Sequence, residues 1–313
     1  MENPETSALP LVAVSVTLLL WASAFVAIRH LGPTFSPGSL SLGRLVVGSL
    51  ALGAVLATRG WSRPSGRDWL RLVAIGLLWF GLYNVALNAG ERRVDAGTAA
   101  LLIQLSPLLV AVLAAVFLGE RPTIALGVGL LVAFAGVVLI ATSSSGDGHR
   151  DLLGVGLCLL SAAAYAVSLV LQKPLVSRLP AIQVTWTACA VGMLACLPFA
   201  GDLVSDVRAA TAVDIAWVVY LGLFPTAVAF STYAFALRHM NAGNLSVTTY
   251  LVPPITVLIS WVALSEVPPL LAYAGGALCL LGVSITRRRG ASRAPRPRGR
   301  RSGGGVGSGQ RSS

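Results

Sequence analysis

The sequence predicts an all-α membrane protein of ten transmembrane helices, arranged as two inverted five-helix repeats around a central cavity. Three observations carry that reading: apolar blocks of membrane length, a charge asymmetry between alternate gaps, and a stretch that recurs 146 positions along the chain. Apolar residues make up 55% of the 313 residues and charged residues 11%, and the mean hydropathy is +0.79. A water-facing domain does not hide that much apolar surface.

The uncharged blocks fit helices of membrane length at about 11 to 28, 38 to 57, 69 to 89, 97 to 118 and 124 to 142. A second set runs at about 153 to 172, 182 to 200, 213 to 236, 242 to 264 and 269 to 287. Glu2 and Glu5 precede the first block, with no basic flank and no small-residue cleavage signal, so it reads as a retained span. The organisation is then a cytoplasmic segment 1–10, a first repeat 11–142, a linker 143–152, a second repeat 153–287 and a basic, disordered cytoplasmic tail 288–313.

Ten spans put both termini on one side, and the charges agree. With cytoplasmic termini the inner gaps hold Arg59, Arg63, Arg67, Arg121, Lys173, Arg178 and Arg238 against Asp68 and Glu120. The outer gaps hold Arg29, Arg92, Arg93, Arg150 and Arg208, outnumbered by Glu91, Asp95, Asp147, Asp151, Asp202, Asp206, Asp214 and Glu266. The expected location is a cell membrane crossed many times. The net charge of +11 owes much to the tail from Arg287 onward, so it marks a topology or lipid-contacting tail rather than a nucleic-acid interface.

The stretch "AGTAALLIQLSPLL" at 96–109 returns as "AGNLSVTTYLVPPI" at 242–255. Without a gap, this offset pairs Gly76 with Gly222, Pro107 with Pro253, Glu120 with Glu266, Pro122 with Pro268, Gly129 with Gly275 and Gly136 with Gly282. Shared Leu and Val mean little in apolar segments, but apolar bias does not align Pro, Glu and Gly. Upstream, "LLWASAF" at 19–25 resembles "LLSAAAY" at 159–165. Each unit has an odd number of spans, so the second enters the membrane from the opposite side, an architecture of transporters with a midplane site between the halves.

The ordered segments also resemble a known family, the EamA-type transporters of the drug/metabolite transporter superfamily. The resemblance rests on "WASAF" from Trp21, Arg44 in the second span, "GTAALLIQLSPLLVAVLAAVFLGERPT" from Gly97, "AAAYAV" from Ala162 and "NAGNLSVTTYLVPPITVLISWVALSE" from Asn241. It implies a ten-helix carrier with a central cavity that moves small metabolites, such as amino acids or toxic compounds, commonly outward. It supplies no shared set of coupling residues.

Pro107 and Pro253 fall near the centres of their spans, and Pro254 follows. A helix-interior proline removes one donor and displaces the carbonyl four residues earlier, here Ile103, Thr249 and Tyr250. In lipid a freed carbonyl needs a partner, so such breaks belong beside protein or a wet cavity. Gln104 and Tyr250 stand three residues before Pro107 and Pro253, and Thr249 adds a hydroxyl. Arg44 is the one charge well inside a span, placed to snorkel outward, gate the outer mouth or meet a substrate carboxylate. Trp79, Tyr83, Asn84 and Asn88 form stripes on the third span, while Trp21 and Tyr165 stand as aromatic wall candidates.

Cys158, Cys189, Cys196 and Cys279 lie in apolar blocks without metal or disulfide spacing, and no cofactor motif is present. No Asp or Glu stands in the interior of a span; Glu120 and Glu266 read as anchors of helix ends. Enzyme chemistry would need an acid/base pair, nucleophile or metal cluster, and none is concentrated here. The expectation is a secondary transporter for a small molecule, with membrane lipids as surroundings and an undecided monomer or homodimer. A receptor or assembly subunit without transport is the alternative, and an integral membrane enzyme a more distant one.

Overall fold

The structure is a computed structural model that describes residues 8–93, 102–144, 152–264 and 270–288. Ala96, Gly97 and Glu266, most of the linker and the tail after Arg288 lie outside the described residues. Among those described there is helix and turn but no strand.

In the first half, α1 (Leu9–Leu31) and α2 (Pro37–Ala57) are followed by α3 (Gly66–Ile75), a π-helical segment (Gly76–Leu82) and α4 (Tyr83–Glu91) in one continuous rod. Next come α5 (Ser106–Phe117) and α6 (Ile124–Ser144). The second half comprises α7 (Leu152–Val176), α8 (Ala181–Ala195), α9 (Ala200–Ala209), α10 (Ala212–Leu221), a second π-helical segment (Gly222–Val228), α11 (Ala229–His239), α12 (Ala242–Val247), α13 (Val252–Leu264) and α14 (Leu270–Arg288).

Local chemistry sets several of these boundaries. The Ser36 hydroxyl accepts from Ser39 N at the start of α2, where Pro37 occupies the first turn at no loss of a helical donor. Ser65 with Asp68 and Thr211 with Asp214 form reciprocal capping boxes that start α3 and α10. These two boxes occupy equivalent positions, as do the two π-helical segments: Ser65 and Thr211, Asp68 and Asp214, and Gly76 and Gly222 are all 146 apart. The two halves therefore share backbone irregularities as well as residues.

Among the described residues, five helical rods are long and apolar enough to cross a membrane: Leu9–Ile28, Pro37–Ala57, Gly66–Gly90, Leu152–Val176 and Ala212–His239. Counting the bent pair α8 and α9 makes six. The expected straight span 182–200 ends instead at Ala195, and the chain passes through a 3-10 turn at Leu197–Phe199 before α9 departs at 54°. Pro198 at this turn cannot continue the α8 hydrogen-bond ladder. The expected outer gap at 201–209 is thus helical, with Asp202, Asp206 and Arg208 among residues that bury no side chain.

Packing between the halves obeys a two-fold exchange. The rod of α10 and α11 packs on α1 and α2, and the rod of α3 and α4 packs on α7 and α8. Likewise α1 contacts α13 while α5 contacts α7, and α6 lies along α14. Close backbone approach explains the paired glycines. A Cβ on Gly76 would stand 2.7 Å from Ala188 O, and one on Gly222 2.9 Å from Arg44 O. In the α6–α14 pair a Cβ on Gly136 would meet Gly275 O at 2.5 Å, and one on Gly282 would meet Gly129 O at 2.6 Å. Small residues let helices approach this closely where lipid provides no hydrophobic drive. Leu50, Val116, Ile124, Leu131 and Leu270 remain exposed, as suits an apolar surround.

Candidate functional site

The aromatic residues expected to wall a cavity instead pack against one another. Trp21 lies 6.3 Å from Trp79 and 4.9 Å from Tyr233 between ring centroids, and Trp79 lies 5.0 Å from Tyr165. Phe230 stacks 4.6 Å from Phe80 and 4.9 Å from Trp79, while Tyr83 stands 6.4 Å from Tyr165. The Tyr165 and Tyr233 hydroxyls hydrogen-bond at 2.6 Å. Trp79, Phe80, Tyr165, Phe230 and Tyr233 are all buried, so rings fill the space between the halves where a cavity was expected. Large rings with one polar tip satisfy both packing and hydroxyl pairing there.

Arg44 lies beside this cluster and does not snorkel: it is 6% exposed. Its Nε donates to Thr226 Oγ1 at 3.0 Å and its Nη1 to Asn84 Oδ1 at 3.3 Å. Asn84 Nδ2 in turn donates to Trp79 O at 3.2 Å and Phe80 O at 2.9 Å, carbonyls at the first π-helical segment. Thr226 Oγ1 donates to Leu221 O at 2.8 Å, just before the second. Asn88 is engaged elsewhere, donating to Pro37 O at 3.3 Å and Ser41 Oγ at 3.2 Å, where it ties α4 to α2.

Both proline-containing spans are interrupted. In α5, Pro107 occupies the first turn, directly after a turn at Gln104 and Leu105. In the second half, α12 gives way to a 3-10 turn at Thr248–Leu251, and Pro253 and Pro254 lie in the first turn of α13. The two breaks meet. Gln104 Nε2 donates to Thr249 O at 3.3 Å, the carbonyl that Pro253 leaves without its helical partner. The Thr248 and Thr249 hydroxyls bond their own preceding turn, to Leu245 O at 2.6 Å and Ser246 O at 2.7 Å. Tyr250 does not join this group: its buried ring packs with Leu126, Ala133 and Cys279 between α6 and α14, and its hydroxyl has no hydrogen-bond partner.

The two ends of the molecule are tied separately. At one end Ser36 N and Ser39 Oγ donate to Asp206, Arg92 Nη2 donates to Phe35 O at 2.9 Å, and His30 Nε2 stands 3.1 Å from Asp214. At the other, Arg178 pairs with Asp68, and Gln183 exchanges two hydrogen bonds with Ser62. Also at this end, Glu120 accepts from Ala242 N at 2.8 Å and Gly243 N at 3.1 Å, so it anchors the start of α12 as a helix-end residue. Gly119, at φ 66°, makes the turn that presents it. Lys173 Nζ donates to Leu237 O and Met240 O, holding the end of α11 beside it. A cavity of about 40 Å³, lined in part by Glu120 and Thr123 of the first half and Asn241 and Gly243 of the second, lies at this joint rather than at the aromatic cluster.

Sequence reasoning missed Thr226, Phe80, Phe230 and Tyr233. The repeat could not reveal them, because the 146 offset places Thr226 opposite Phe80 and Phe230 opposite Asn84. Their helical spacing was the available signal: 226, 230 and 233 fall on one face of their rod. Among the described residues no cluster of His, Cys, Asp and Glu is arranged to hold a metal.

Two homologous halves, apolar rods and breaks that meet between the halves define a multi-pass membrane transporter built of two repeats. The chain belongs to the EamA-like transporter family, which matches residues 8–142 and 152–288. It is 38% identical over 278 residues to a probable terminal-alkyne amino-acid exporter of Streptantibioticus cattleyicolor, covering 88% of this chain and 93% of that one. An uncharacterized transporter of Bacillus subtilis, YdfC, is 30% identical over 279 residues, covering 88% and 90%. A WAT1-related chloroplastic protein of Arabidopsis thaliana is 27% identical over 278 residues, covering 85% of this chain and 66% of that one. A solved crystal structure superposes with a TM-score of 0.75 at 21% identity, over 92% of this chain and 99% of its own, and shows the same fold.

Proposed function

We propose that this transporter exports small amino-acid-like metabolites across the cell membrane by alternating access, without catalysing a reaction. The reading takes ten spans with both termini cytoplasmic, in the organisation 1–10, 11–142, 143–152, 153–287 and 288–313. The substrate path runs between the halves, beside Trp21, Arg44, Trp79, Tyr83, Asn84, Tyr165, Gln104 and Thr249. Asn88 and Tyr250 act through helix packing beside it.

The observation that carries the reading is the hydrogen bond from Gln104 to Thr249 O. It joins the proline break of one half to the proline break of the other, and a backbone carbonyl freed in this way is a natural point of exchange between protein and substrate. The exporter from Streptantibioticus cattleyicolor supports the amino-acid direction of the proposal. Between opposite ion pairs and caps at the two ends, the packed aromatic rings suit a state closed to both sides.

The test is efflux from proteoliposomes loaded with amino acids of different side chains and with neutral toxic solutes. The expected result is saturable loss of at least one small solute that protein-free vesicles retain. A correctly folded protein that moves none of them contradicts the proposal. Gln104→Ala should lower the rate about tenfold with expression unchanged, as loss of a buried hydrogen bond of ~1 kcal/mol or more allows.

A further inference from the structure

We infer that Arg44 is the anchor for a carboxylate group on the substrate, held in place by Asn84 and Thr226, and that the substrate class is small carboxylates with an apolar side chain. The inference rests on the transport reading above and narrows its cargo.

Arg44 is nearly fully buried, and among the described residues no carboxylate stands within ion-pair distance of it. Its two hydrogen-bond partners, the Asn84 amide and the Thr226 hydroxyl, are neutral. They fix the direction of the guanidinium without compensating its charge. A guanidinium presents five N–H donors in a planar fork, and this arrangement engages only Nε and Nη1. The donors that remain match the two oxygens of a carboxylate, and the low-dielectric surroundings strengthen that pairing.

An amide or hydroxyl free to turn could offer Arg44 either a donor or an acceptor. Here each is committed. Asn84 spends its Nδ2 hydrogens on Trp79 O and Phe80 O, and Thr226 gives its hydroxyl hydrogen to Leu221 O. Only oxygen is left to face Arg44. The carbonyls that lock them belong to the two symmetry-related π-helical segments, Gly76–Leu82 and Gly222–Val228, or to the residue just before. Single π-helical turns inside α-helices gather at functional sites because they free such carbonyls.

Phe80 precedes Asn84 by four residues and Phe230 follows Thr226 by four, so each helix carries one polar and one aromatic residue on the same face. Between the halves these positions are swapped: Phe80 corresponds to Thr226 and Asn84 to Phe230. The two phenyl rings touch at 4.6 Å while both polar groups meet Arg44. The arrangement gives one ligand a cationic anchor and an adjoining apolar aromatic wall.

The test uses the full-length protein in proteoliposomes preloaded with labelled leucine or phenylalanine. Competition inside the vesicles compares each unlabelled acid with its primary amide, which keeps the shape and removes the negative charge. In the wild type the acid should compete and the amide should fail by about tenfold or more. Arg44→Gln should raise the KM for the acid by a similar factor while the thermal unfolding temperature stays near wild type. Thr226→Val should also raise KM, and Thr226→Ser should restore it, a split that a packing role would not produce. Should Arg44→Gln fail to fold, the acid-against-amide competition and the Thr226 pair still decide. The inference is overturned if the amide competes as well as the acid, if Arg44→Gln keeps the wild-type KM, or if the wild type moves only solutes without a carboxylate. In that last case export by alternating access stands without its amino-acid cargo; only a folded protein that moves nothing removes both.

Discussion

At the residue scale, single side chains from one half complete the backbone of the other. Gln104 takes up the carbonyl freed by Pro253, and Glu120 takes up two amides at the start of α12. Asp68 caps α3 through Ser65 and pairs with Arg178 from the second half. Because Arg178 is half exposed, most of the stabilisation comes from the cap, about 1 kcal/mol, rather than from the ion pair. Asp68→Ala should therefore lower the thermal unfolding temperature in detergent, whereas Arg178→Ala should change it less. Equal effects of the two substitutions would contradict this division. Arg44 was legible in the sequence as a lone intramembrane charge, but its partner Thr226 was not. A threonine in an apolar span looks ordinary until the fold brings it across from another helix.

At the scale of elements, the paired glycines that revealed the repeat mark where backbones cross. Gly136 and Gly282 form reciprocal contacts in the α6–α14 pair, each facing backbone atoms that cannot yield to a methyl group. Gly136→Ala and Gly282→Ala should each destabilise the protein by roughly 1–3 kcal/mol, the usual range for overpacking. Gly60→Ala, where nothing lies within 4 Å, should leave stability unchanged and serves as the control. Differential scanning fluorimetry in detergent checks all three. Helix existence was well marked by the apolar blocks, and the prolines marked the broken spans. The bend between α8 and α9 was not legible, because Leu197, Pro198 and Phe199 continue an apolar run whose direction depends on packing. The π-helical segments also escaped, since they arise from the carbonyl arrangement around Asn84 and Thr226 rather than from hydrophobic period.

At the scale of the whole molecule, packing partners exchange between the halves, as a two-fold relation requires. The 146 offset pointed to that relation in the sequence. What the repeat could not convey was asymmetry. Arg44 has no counterpart in the second half, and the aromatic and polar positions around it are swapped, so the expected open cavity is instead a packed aromatic centre with one charged side. A transporter built in this way must open its two ends in turn, and a clamp on one end alone should stop it. Ser62 and Gln183 hold one end together through two hydrogen bonds. The direct measurement is amino-acid efflux by the Ser62→Cys/Gln183→Cys double variant before and after a short reducible thiol cross-linker. The account predicts that cross-linking abolishes efflux and that reduction restores it. Efflux that continues at the uncross-linked rate through a fully cross-linked protein would contradict alternating access between these halves.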